Sequence, residues 1–310
     1  MPDWLPDWLP DWLPDWLRYL ERHPIAAPAV IGSAGPMPGQ PSTAVFRERT
    51  LDELSIEDER SFRHVGLYAD LKEVLRQSAY RFRVLAPSAA QQVANWDRAL
   101  LLNLTFWRPE DGGDLLVDET IPADVVAHVA WHHLAAGALA GQPGQESPSV
   151  QALFMGEAIA SAFDIYLVAR LLGHAPDSSF LETQVPAMKE TAEAAGVTEG
   201  EFETLLRTVA EGPERAFAEL RELLFDATNA VYASRNAAQA WTALARLDGH
   251  RFAPLLHRYE LSNWVLYARA YGANVNGETT ADAETRALDT TLRQQSDPLE
   301  WLSAHWVRRK

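Results

Sequence analysis

Apolar residues along most of the chain recur at intervals of three and four, the spacing of helices that bury one face. Leu67, Leu71, Val74 and Leu75 carry that spacing through a segment predicted to be helical over residues 56–85 and closed by Pro87. Ser88 suits the N-cap of a second helix, which runs through Leu100 and Leu104 and ends before Pro109. Asp111-Gly112-Gly113-Asp114 reads as a turn, and Leu115-Leu116-Val117 as a short strand ended by Pro122. Helices follow over residues 123–140, stopped by Gly141-Gln142-Pro143-Gly144, and over residues 149–172, stopped by Gly173. Further helices are predicted near residues 180–195, 199–210, 213–234, 236–247, 251–271, 280–295 and 298–308. Gly196, Gly212-Pro213, Gly249, Gly272 and Asp297-Pro298 separate them. Strands and helices do not alternate, so a doubly wound sheet is not expected. The expected fold is all-α: a multi-helix, bundle-like domain with at most a short strand near residues 115–117.

The N-terminus breaks this pattern. Residues 2–17 read Pro-Asp-Trp-Leu four times in succession. A proline at every fourth position removes a helical N–H and clashes with the preceding turn, so the repeat cannot be one continuous helix. Its last copy suits a helix start, with Pro14 in the first turn, Asp15 at the positive end, and Trp16, Leu17 and Leu20 on one side. Residues 1–23 therefore read as a repeat leading into a short helix; alternatively, exposed Trp-Leu pairs form a docking tag for a protein partner. Residues 24–48, with Pro24, Pro28, Pro36, Pro38 and Pro41 among glycines, read as a linker, which leaves residues 49–310 as the helical domain. Asp297-Pro298-Leu299-Glu300-Trp301-Leu302 near the other end has a similar character and is expected to pack in a similar way.

Composition narrows the function classes. Of 310 residues, 47% are apolar, enough for a large buried core. Lys and Arg number 27 against 43 Asp and Glu, a formal charge of −16, which repels phosphate backbones and makes nucleic acid and anionic membranes poor partners. No uninterrupted apolar run approaches the roughly 20 residues of a membrane span. The start lacks the basic and apolar regions of a secretory signal, so a cytoplasmic location is expected. There are no cysteines, which excludes disulfides, thiolate nucleophiles and Cys-ligated metal centres. A bound metal has to sit on His, Asp and Glu.

Two neighbouring helices offer such a set. In the first, His128 and His132 are four apart, so both rings project from one face a single turn from each other. His133 lies about 100° away and reads as an outer, surface or core residue. The second helix carries Glu157, Ser161 and Asp164 on one face, amid apolar and small residues. A carboxylate in such surroundings is costly unless paired, hydrogen-bonded or metal-bound. His128, His132, Glu157 and Asp164 are the candidate ligands of a divalent metal, zinc first, with iron or manganese as alternatives. Asp164 serves either as a ligand or by orienting a histidine through its other ring nitrogen. The alternative is a His–carboxylate hydrogen-bond network that only locks the two helices together.

The pair resembles the gluzincin, or thermolysin-like, metallopeptidases: His128-Val129-Ala130-Trp131-His132 stands for their His-Glu-x-x-His helix, and Gly156-Glu157-Ala158 for the helix bearing their third ligand. The resemblance covers about 40 residues and implies zinc on His128, His132 and Glu157. Val129 occupies the position of that family's general base, and valine cannot take a proton. The implied activity is accordingly a metal-dependent hydrolase or small-molecule enzyme that uses metal-bound water, on a small-molecule or peptide substrate, without the family's base. Two alternatives remain open at this point. His257 and Glu260, three apart, would join the first set in a di-iron or di-manganese oxidase-like centre if their helix crossed it; otherwise Glu260 simply pairs with a nearby arginine. The other alternative is a non-catalytic helical interaction protein with a vestigial metal motif.

Overall fold

The computed structural model describes residues 46–85, 114–116, 118–140, 148–272 and 280–308. The Pro-Asp-Trp-Leu repeat, the linker up to residue 45 and the helix expected from Ser88 lie outside the described residues.

The all-α expectation holds, with more strand than the sequence pattern suggested. Ten α-helices are present among the described residues: α1 (Gly66–Gln77), α2 (Ala123–Ala138), α3 (Val150–Leu172), α4 (Ser179–Ala194), α5 (Glu199–Glu211), α6 (Pro213–Ala233), α7 (Ala237–Ala245), α8 (Arg258–Tyr271), α9 (Thr280–Gln294) and α10 (Pro298–Leu302). Five short strands flank the first of them: β1 (Phe46–Thr50), β2 (Ser55–Glu57), β3 (Arg81–Leu85), β4 (Leu115–Leu116) and β5 (Thr120–Pro122). β1 pairs antiparallel with β3, which pairs parallel with β4, and β2 pairs parallel with β5. β1 starts at Phe46, inside the expected linker, whose last three residues it takes up.

The single helix expected over residues 56–85 is instead α1 between two strands. Ala79, at φ 49°, turns the chain out of the helix just after Gln77. Beyond it Arg81-Phe82-Arg83-Val84 alternates with period two, and Phe82 and Val84 enter the core at 0% and 3% exposure. That alternation is a strand signal masked in the sequence by the stronger helical pattern upstream.

α3 is the axis of the fold. It packs chiefly against α6 and α2, and also meets α4, α5, α8 and α9. Eighteen of its 23 residues are buried, so it is apolar all round, as a central helix must be. It is long and apolar enough to cross a membrane, but 89% of its most apolar stretch is buried inside the protein. Its start is fixed by Ser149, whose hydroxyl accepts the Ala152 N–H at 3.1 Å. α10 starts in the same manner: Asp297 accepts the Glu300 N–H at 2.9 Å and Pro298 occupies the first turn.

Candidate metal centre

α2 approaches α3 closely because Gly156 has no side chain. A Cβ built there would stand 3.3 Å from the Ala135 methyl and 3.9 Å from His132 Nδ1. Val126, Ala127, Val129, Ala130 and Trp131 bury the rest of α2, with Trp131 edge-on to Phe163 of α3 at 5.6 Å. This packing sets the rotation of α2 and turns the His128–His132 stripe toward Glu157.

The three side chains converge. His128 Nε2 and His132 Nε2 are 3.2 Å apart, His132 Nε2 is 3.2 Å from Glu157 Oε2, and His128 Nε2 is 3.9 Å from Glu157 Oε1. One ligand atom from each lies within 4.8 Å of the other two, a set that can hold a metal ion. Among the described residues no other group of His, Asp and Glu does so. Donor atoms bound at about 2.0–2.1 Å to one tetrahedral ion lie about 3.3 Å from one another; the His128–His132 and His132–Oε2 spacings are close to this, whereas His128 is nearest the other carboxylate oxygen, so Glu157 has to turn to offer both histidines the same atom.

Outer partners orient these donors. Ser161, one turn beyond Glu157, donates its hydroxyl to Glu157 Oε1 at 3.1 Å. Asp164 Oδ2 lies 3.2 Å from His128 Nδ1, on the side of the ring away from the cluster. Asp164 thus meets the ring nitrogen opposite the cluster and is not one of the three converging residues. A carboxylate there holds a proton on Nδ1, so Nε2, the nitrogen that faces His132 and Glu157, is the one a cation would take.

The charges are strongly interdependent. Burial opposes charge on His128, but Asp164, then Glu157 and Asp124, outweigh it and raise its pKa to about 9. Burial likewise opposes ionisation of Glu157, yet the two imidazoles and the Ser161 hydroxyl hold its pKa below the usual carboxylate value. Asp124 is pushed up to about 6, by burial first and then by the Asp164 charge. Asp124 is the residue that sequence reasoning missed. It stands four residues before His128, so Asp124, His128 and His132 form one stripe on α2, a spacing legible in the sequence.

The remaining histidines divide. His133 packs edge-on against Tyr80 at 5.3 Å, and burial lowers its pKa. His257 does not share a helical face with Glu260. Pro254 confines the preceding segment to a short 3-10 turn (Ala253–Leu255), and His257 is the N-cap of α8, its Nδ1 accepting the Glu260 N–H at 3.4 Å. The expected helix over residues 251–271 therefore starts at Arg258. His257 and Glu260 nevertheless reach the neighbourhood: they line a cavity together with Ser161 and Asp164, the partners of Glu157 and His128. Loss of hydration there raises the Glu260 pKa against the His257 contribution, helped by the charges of Glu157 and Asp164.

No protein-family model, curated protein or solved structure matches the chain.

Proposed function

We propose that the protein binds one divalent cation on His128, His132 and Glu157 and uses it in a hydrolase-type reaction on a small molecule. The observation that carries this reading is the convergence of one ligand atom each from His128, His132 and Glu157 to within 4.8 Å of one another, with the two Nε2 atoms 3.2 Å apart. Two imidazoles and one carboxylate favour zinc; iron(II) or manganese is served by the same donors. When bound, the cation supplies Lewis-acid activation of water or of a polar substrate group. Asp164 fixes the tautomer of His128, Ser161 holds Glu157, and the adjoining cavity offers space for a substrate beside both. Peptide hydrolysis of the gluzincin kind is not proposed, because Val129 is buried at 1% exposure and has no proton to exchange.

One metal is proposed rather than two because the His257 Nδ1 is engaged in capping α8. Elemental analysis of tag-free protein reconstituted with zinc tests the reading. One equivalent is expected in the wild type and none in the double variant His128→Ala/His132→Ala. A wild type that retains no metal ends the proposal, and two equivalents transfer it to the dinuclear arrangement that includes Glu260.

A further inference from the structure

The cavity beside the metal centre has a volume of about 180 Å³. Its walls are apolar: Ile165 and Val168 from α3, Leu220 and Leu224 from α6, Leu261 and Trp264 from α8. Its polar lining is lopsided in charge. Asp164 and Glu260 are both present, with His257 as the one basic side chain, Gln184 and Ser161 as neutral groups, and no lysine or arginine among the lining residues. Asp164 uses one carboxylate oxygen toward His128, and Glu260 is within electrostatic reach of Asp164. Among the described residues, no lysine or arginine pairs with the Glu260 carboxylate.

Such a cavity is badly matched to an anion, which would face two carboxylates, and to a neutral hydrocarbon, which would leave Glu260 without a cation while Asp164 keeps only His128. A molecule with a cationic donor head and an apolar tail satisfies both parts. We propose that the cavity binds a small aliphatic primary amine, its ammonium group between Asp164 and Glu260 and its hydrocarbon along Val168, Leu224 and Trp264. An ammonium brings three donors and one positive charge, which suits two carboxylates and the Gln184 amide oxygen. The volume equals about six waters at ~30 Å³ each, the size of an amine with about six heavy atoms. That this amine is the substrate rests on the metal-centre reading; its binding does not need the metal.

Titration of wild-type protein with n-pentylamine at pH 8, followed by NMR, tests the inference. Pentylamine is expected to saturate one site, and n-pentanol and pentanoate to bind at least about tenfold more weakly. Propylamine, shorter by two methylenes, is expected to bind about 15-fold more weakly. Glu260→Gln, a change at an exposed position that keeps side-chain shape, is expected to weaken pentylamine about tenfold. The absence of saturable pentylamine binding, equal affinity for pentanol, or an unchanged Glu260→Gln variant overturns the proposal. Repeating the titration on His128→Ala/His132→Ala separates the two readings. Amine binding without metal keeps this site though the metal proposal fails, and metal loading without amine binding does the reverse.

Discussion

Metal loading should expel a proton from His128. In the cation-free protein Asp164, Glu157 and Asp124 hold the His128 pKa at about 9 despite burial, so at pH 7 the ring is predominantly an imidazolium whose Nε2 is protonated. A cation needs that lone pair, so each metal bound at pH 7 displaces about one proton. The apparent association constant is expected to rise about tenfold per pH unit between pH 7 and 9, then level off. Asp124, at about 6, titrates below this window and does not blur it. Calorimetric zinc titrations in two buffers of different ionisation enthalpy count the protons directly, about one at pH 7 and about half of one at pH 9. Asp164→Asn removes the largest influence that raises the His128 pKa, so its proton release at pH 8 is expected to fall toward zero. No proton release at pH 7, or a variant indistinguishable from wild type, would refute the argument.

The same charge gives cation-free protein a pH-dependent stability. A raised His pKa stabilises the fold fully below the ordinary 6.5 and loses that contribution as pH rises through about 9, so thermal melts of metal-free protein should lose about 3 kcal/mol across that window; metal-loaded protein should not follow this slope. Gly156→Val places a branched side chain against Ala135 and His132; overpacking is expected to cost about 1–3 kcal/mol in urea denaturation and to reduce zinc affinity at least about tenfold. Fully buried Arg221 donates to Asp289 at 2.7 Å, so Asp289→Ala should cost about 3–5 kcal/mol, while Arg221→Met stays near neutral because Asp289 keeps Arg293 at 2.8 Å, both with metal content unchanged. Val129→Glu restores the gluzincin motif in sequence but puts a carboxylate into the core, so denaturation should show a loss of several kcal/mol and casein hydrolysis should stay at background; a stable, proteolytic variant would refute this.

Much of the helical plan is legible because burial acts through periodicity. Ser149 and Gly173 mark the limits of α3 as their capping chemistry suggests, and Pro213 opens α6. The lapses have local causes. Arg81-Phe82-Arg83-Val84 is short enough for an alternating pattern to be absorbed into the helix before it. Pro254 looks like an interruption within a longer helix until His257 is seen to start a new one by accepting the Glu260 N–H. Within the site, His128, His132 and Glu157 were readable from i,i+4 spacing and from a carboxylate set among small residues. The placement of Asp164 was not, because whether it faces Nδ1 or Nε2 of His128 depends on the relative rotation of two helices. Leu220, Leu224 and Trp264 carry no sequence mark of the cavity, since α6 and α8 meet α3 only through long-range packing.

The His128–His132–Glu157 group and the hydrophobic core are products of one contact. α3 is buried on nearly every side, so its acidic residues have few ways of meeting water, and Glu157 is 6% exposed. A carboxylate in that position stays ionised only where cationic or donor groups are built around it. The α2 stripe supplies them, and it reaches Glu157 because Gly156, the residue just before it, lets the helices close to contact at Ala135. The distance that seals the apolar interface therefore also fixes the separation of the three donor atoms. Loosening that interface should weaken cation binding and core packing together, whereas truncating His132 should remove the first and leave most of the second. The contrast between Gly156→Val and His132→Ala, measured in both stability and zinc affinity, separates a site that is held by the fold from one merely decorated onto it.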